Sequence, residues 1–209
     1  MYLFSRTTTF KPERSADAAA WSIDIAAQVG TITGLDVRTW AVIYGASLNT
    51  VTWSCRVDSH AEMGAAGEKL AADPGFAARI PEAAEMFEGA PTDALVEVLA
   101  TVGEGGQTGS IADVVTAQCA GGQVGAAMTW GLEIFNQVGK VTGSDGLFGR
   151  GMYGPWATLG WISLASSLDE VDAAQAAIAG DSSYLGKIDE AGDLFVPGSA
   201  QSQLLQRIG

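Results

Sequence analysis

Four of the seven arginines, Arg6, Arg38, Arg56 and Arg150, fall in segments that read as β-strands. A guanidinium offers paired N–H donors that match a carboxylate or an enolate, so such arginines suit an anionic group. Side chains alternate along a strand, and by that parity Arg6 and Arg38 are expected on the face that carries Phe4, Trp40 and Tyr44. Six aromatic residues, Trp40, Tyr44, Trp53, Tyr153, Trp156 and Trp161, sit in or beside two hairpin segments. Together they could line a pocket for a planar apolar molecule, with tyrosine hydroxyls and tryptophan N–H groups as the few polar contacts. The candidate ligand-binding set is therefore Arg38, Trp40, Tyr44, Arg6 and Tyr153. Ordinary packing of the aromatics, and arginines reaching solvent or a nearby acid, would account for the same residues without function. Nothing in the spacing singles out a catalytic residue.

Other motifs carry less. The single histidine, His60, follows Asp58-Ser59 at a helix start and has no H-x-x-x-H or C-x-x-C partner set, so neither a metal site nor a Ser-His-Asp triad is indicated. Gly149 to Gly154 matches G-x-G-x-x-G, but dinucleotide binding needs those glycines between a strand and a helix. Here they lie within a strand, where glycine marks a bulge or a close backbone approach. Asp73 and Asp181, each followed three residues later by an aromatic, read as helix caps. Gln28 and Gln137 read as a repeated helix-end hydrogen bond. Cys55 and Cys119 sit in apolar strand segments at non-equivalent places, as small buried thiols. No cofactor is implied.

The elements that must position these residues follow from periodicity. Tyr2–Phe10 reads as a strand, and Ser15 or Asp17 to Val29 as a helix with Trp21, Ile25 and Val29 stepping by four. Gly30 suits its left-handed stop. Strands are expected at Leu35–Tyr44 and Thr50–Val57, helices to Ala72 and then to Phe87, and a fourth strand at Ala94–Val102. That order is β-α-β-β-α-β, the ferredoxin-like unit.

The order then recurs. Trp21–Gly34 (W-S-I-D-I-A-A-Q-V-G-T-I-T-G) returns as Trp130–Gly143 (W-G-L-E-I-F-N-Q-V-G-K-V-T-G) at an offset of 130 − 21 = 109. After the hairpin the offset becomes 108, pairing Trp53 with Trp161, Asp73 with Asp181 and Phe87 with Phe195. A long internal period in one register indicates two copies of one unit. The expected domains are a first repeat at 1–102, a glycine-rich linker at 103–110 and a second repeat at 111–209. A sheet with helices on one face leaves its other face to be covered, and the second sheet is the economical cover, face to face as an α/β barrel.

Composition sets the bounds. The chain has 209 residues, is 47% hydrophobic and 17% charged, and carries a net charge of −13, which disfavours nucleic acid and anionic membrane surfaces as partners. The N-terminus shows no basic segment followed by a long apolar run, and no stretch approaches the length of a membrane span, so a cytoplasmic protein is expected.

The two-repeat order resembles the dimeric α/β-barrel superfamily in its tandem form, which includes antibiotic-biosynthesis monooxygenase-like, NIPSNAP-like and chlorite dismutase-like proteins. The T-G-L-D-V-R-T-W run, with the Y-G and W-S that follow it, looks similar to the NIPSNAP-like group. Haem-binding relatives use a histidine in the second repeat, and this chain has none there. The resemblance implies a small apolar or aromatic ligand and allows cofactor-free oxygenation or isomerisation of an aromatic or polyketide-like compound. The alternative is a non-catalytic homo-oligomeric scaffold, with Ile23, Ile25, Leu132 and Phe135 serving subunit contacts as well as the core. A barrel with no cavity larger than a few waters would rule out the first, and a pocket holding Arg38 with two or more of the aromatics would weaken the second.

Overall fold

The fold is described from a computed structural model, in which residues 1–104, 109–154 and 156–209 are placed. The element order is β1 (Tyr2–Phe10), α1 (Ser15–Thr33), β2 (Arg38–Tyr44), β3 (Thr50–Val57), α2 (His60–Ala72), α3 (Pro74–Met86), β4 (Phe87–Val102), β5 (Ile111–Gln118), α4 (Val124–Thr142), β6 (Asp145–Tyr153), β7 (Thr158–Ala165), α5 (Leu168–Gly180), α6 (Ser182–Asp189) and β8 (Gln201–Arg207). This is an α+β fold of two ferredoxin-like repeats. The hydrogen-bonded strand order, β1-β3-β2-β8-β5-β7-β6-β4, closes on itself as a barrel.

Two compact units emerge, Met1–Leu95 with Gln206–Gly209, and Val96–Leu205. β4 and β8 therefore each run through both. The expected linker at 103–110 lies partly outside the described residues.

Local chemistry explains the elements. Ser59 Oγ accepts from the Glu62 amide while Glu62 Oε2 accepts from the Asp58 amide, and Ser167, Glu170 and Ser166 repeat the arrangement. These reciprocal bonds satisfy amides that a helix start leaves orphaned. Asp73 caps α3 through the Phe76 amide and Asp181 caps α6 through the Tyr184 amide. Gln137 Nε2 donates to the carboxylate of Asp181, the residue that caps the start of α6.

Two boundaries differ for a physical reason. α1 passes through Gly30 to Thr33 and stops at Gly34, whose φ is 87°; α4 passes through Gly139 and stops at Gly143, with φ 67°. A Cβ at Gly30 would meet Leu35 O at 3.1 Å, and one at Gly139 would meet Val102 at 3.2 Å. These two glycines serve close packing, and the next ones serve the left-handed turn. β4 also begins earlier than Ala94, because residues 88–93 are exposed and an exposed strand tolerates Pro91.

Candidate functional site

Each unit is built around the same three rings. Trp21, Trp53 and Phe87 meet edge to face at 5.5–6.3 Å in the first unit, and Trp130, Trp161 and Phe195 do so at 5.4–6.1 Å in the second. Trp53 Nε1 donates to Ser22 O at 2.9 Å, and Trp161 Nε1 donates to Gly131 O at 2.9 Å. Strand and helix are thereby pinned together with the indole N–H satisfied, which is what a buried tryptophan requires. The shared triad is scaffold.

Beside it the units diverge. In the first, a cavity of about 430 Å³ lies between the helix-facing side of β1 and β3 and helices α1, α2 and α3. Its walls include Phe4, Trp21, Trp53 and Phe76, the aliphatic side chains of Ile25, Val29, Leu35, Val37, Leu70 and Ile80, and the small residues Ala26, Ala66 and Gly67. In the second unit the space against β5, β7, α4 and α5 is about 40 Å³. Register identifies the substitutions responsible. Thr39 pairs with Trp53 as Phe148 pairs with Trp161, and Phe4 pairs with Cys55 as Asp113 pairs with Ser163. Phe148 stacks on Trp161 at 5.5 Å and tilts against Phe135 at 6.1 Å. Phe135 stands where the first unit has Ala26 (135 − 109 = 26). A Cβ at Gly131 would come within 2.8 Å of Phe148, so that glycine admits the ring; the first unit has Ser22 there, bonded to Ala18 O, facing Thr39. Phe135 and Phe148 fill one unit; in the other, Ala26 stands in the cavity wall where Phe135 would be, while Thr39 is fully buried outside that wall.

The polar groups of the cavity are already engaged. Arg6 holds Asp93 through two bonds of 2.7 Å, and that carboxylate raises the guanidinium's pKa. Trp21 Nε1 donates to Glu82, Thr33 Oγ1 donates to Val29 O, and Ser54 Oγ accepts from Trp40 Nε1. Burial, followed by the charges of Glu62 and Asp36, pushes the Cys55 thiol up to about 11. Such a thiol is not a ready nucleophile at neutral pH. Among the described residues the walls hold no carboxylate, histidine, lysine or tyrosine.

Of the five residues singled out from sequence, only Arg6 lines this cavity. Trp40 is buried and touches it at one remove, through Ser54. Arg38 bonds Asp36, and Tyr44 and Tyr153 are 69% and 62% exposed near strand ends. Parity misplaced Arg6: it pairs with Trp53, whereas Arg38 pairs with Ser54, so the two arginines lie on opposite faces of the sheet. Alternation orders residues within one strand; the cross-strand register decides which sets coincide. Among the strand glycines, Gly149 marks a close backbone approach, since a Cβ there would meet Val96 at 2.5 Å and Glu97 O at 2.6 Å. It lets β4 approach β6. The wall residues missed from sequence come mainly from α1 and α2, and the signal for them was the disagreement of the copies at Ala26/Phe135 and Gly67/Gln175.

Among the described residues no helix is long and apolar enough to cross a membrane, and no cluster of three metal-ligating side chains occurs. The sequence matches no family model and no curated protein. Solved structures do match. A provisionally assigned monooxygenase from Fusobacterium nucleatum superposes with TM-score 0.71 at 11% identity, over 100% of this chain and 92% of that one. A second provisional monooxygenase, from Lactobacillus acidophilus, gives 0.68 at 8% identity over 99% and 93%. An anthrone oxidase-like protein gives 0.69 at 16% identity over 100% and 91%. At these identities the likeness is one of fold, and the chain has the two-repeat α/β-barrel fold that these proteins share.

Proposed function

We propose that this protein binds one small, neutral and largely apolar molecule in the cavity of its first unit. The observation that carries the reading is a space of about 430 Å³ retained in one repeat and filled by side chains in the other. That volume lies within the range of pockets that enclose drug-sized ligands. Aromatic and aliphatic walls favour a planar apolar body. Neutrality follows from Arg6: its charge is matched by Asp93, so an anionic ligand would have to displace a bidentate partner. Phe135 and Ile25, both buried, serve the core and not subunit contacts, which takes support from a purely scaffolding role; Leu132 is 40% exposed. A homo-oligomer is still part of the proposal.

Oxygenation without a cofactor is the second reading, favoured by the fold shared with provisional monooxygenases and an anthrone oxidase-like protein. In such a step a diaryl methylene becomes a carbonyl, dioxygen supplying the carbonyl oxygen and leaving its other atom as water. The walls offer no general base, so the substrate itself would have to be acidic enough to ionise to water. Binding is therefore the primary proposal, and turnover of an electron-rich aromatic the secondary one.

Native mass spectrometry of protein isolated from its source tests the first reading. One neutral organic molecule per chain is expected. Protein that carries nothing, and that also fails to bind the neutral fluorophore 1-aminoanthracene, would overturn it.

A further inference from the structure

Helix α2 covers one side of the cavity, and two glycines, Gly64 and Gly67, stand in its interior. Glycine in mid-helix is disfavoured relative to alanine. Packing does not demand it here: a Cβ at either position would meet nothing within 4 Å. Of the two, only Gly67 lines the cavity. The repeat shows what a side chain does at that place. Gln175 is its counterpart (175 − 108 = 67), and Gln175 Nε2 reaches across to the Asp113 carboxylate at 3.0 Å. Asp113 in turn is the counterpart of Phe4 (113 − 109 = 4), another wall residue of the open cavity. In the second unit a hydrogen bond thus latches α5 to β5 over a residual space of about 40 Å³. In the first unit both halves of that latch are missing. Elsewhere α2 is secured at its ends, by His60 packed on Tyr2 at 4.8 Å and by Lys69 Nζ bonded to Thr33 O at 3.2 Å.

We propose that Gly67 is the entrance of the cavity: the ligand passes between α2 and β1 across the glycine and the Phe4 ring, through the gap that Gln175 and Asp113 close in the second repeat. The inference rests on the binding reading above and adds the route and the residue that controls it. A gate governs rates, whereas a wall governs affinity.

The test compares Gly67→Trp with Gly64→Trp, which makes the same change of propensity on the same helix away from the cavity. A Cβ at either position has open space, and unchanged circular dichroism and melting temperature check that both variants fold. Stopped-flow mixing with 1-aminoanthracene is the readout. For Gly67→Trp the association rate should fall about tenfold and dissociation should slow as well, because a barrier raised between two states slows both directions; Kd, which also reports Gly67 as a wall residue, is not the readout. Gly64→Trp should match the wild type. Equal rates in all three proteins, or a faster dissociation with unchanged association in Gly67→Trp, would overturn the gate. Failure of the binding reading looks different: the wild type itself would give no signal that Ala26→Phe removes.

Discussion

The two repeats solve the same packing problem, helices laid on a sheet, with different amounts of side chain. Both pin the first helix through a tryptophan N–H on a helix carbonyl, and both gather a second tryptophan and a phenylalanine around it. Beyond that shared triad, Phe135 and Phe148 complete the second unit, whereas Ala26 stands in the wall of the first and the space remains. Close packing is the general state of protein interiors, so the filled unit is ordinary and the open one calls for explanation. A tolerated void of this size is what a bound apolar ligand would fill. In the proposed reading the duplicated scaffold carries stability, and one copy is released for binding.

The largest effect that would break this comparison is on the filled side. Phe148→Ala should cost about 3–5 kcal/mol, a transfer loss plus a cavity, and lower the melting temperature by about 10 °C. Thr39→Ala, the matching truncation in the open unit, should cost far less. Comparable losses would mean that the first unit is as tightly packed as the second. Next come the shared bonds. Trp53→Phe and Trp161→Phe each remove an N–H donor from a helix carbonyl and should each cost about 1–2 kcal/mol by chemical denaturation, similar in both units. A large difference would show that the triad is scaffold in one repeat only.

Electrostatics sharpen the contrast further. Burial raises the Asp113 pKa, with the Gln175 bond opposing it, so the folded state holds that proton more tightly than the unfolded chain. A carboxyl of this kind contributes stability below its unfolded pKa and loses it as pH rises through the folded value. Asp113→Asn should therefore stabilise the protein at neutral pH and leave it nearly unchanged in acid, as read from melting temperature against pH. Destabilisation at neutral pH would mean that the ionised latch to Gln175 outweighs burial. The smallest effect concerns Cys55. With its pKa near 11, about one thiol in a thousand is ionised at pH 8, and alkylation should stay slow until the solution is strongly alkaline.

Much of the architecture was legible because it is written in short-range patterns. The four-residue stepping of Trp21, Ile25 and Val29, the Asp73 and Asp181 caps and the offset of 109 each reflect a requirement local to one element. The site was less legible because it depends on register between elements. Whether Arg6 faces Trp40 or Trp53 is decided by pairing across strands, which parity within β1 cannot supply. Attention to polar and aromatic residues also pointed toward the hairpins, where Tyr44 and Tyr153 prove exposed. What opens the cavity is the smallness of Ala26 and Gly67, and smallness shows only against a larger counterpart. Each was present in the sequence as a disagreement between the copies.

The most direct measurement is a fluorescence titration of wild type and Ala26→Phe with 1-aminoanthracene, at matched folding as judged by melting temperature. The wild type should saturate at one probe per chain, and the variant, with a ring placed where the second unit carries Phe135, should lose that binding by at least about tenfold. Equal affinity and stoichiometry in the two proteins would contradict a ligand site between the helices and the sheet of the first unit.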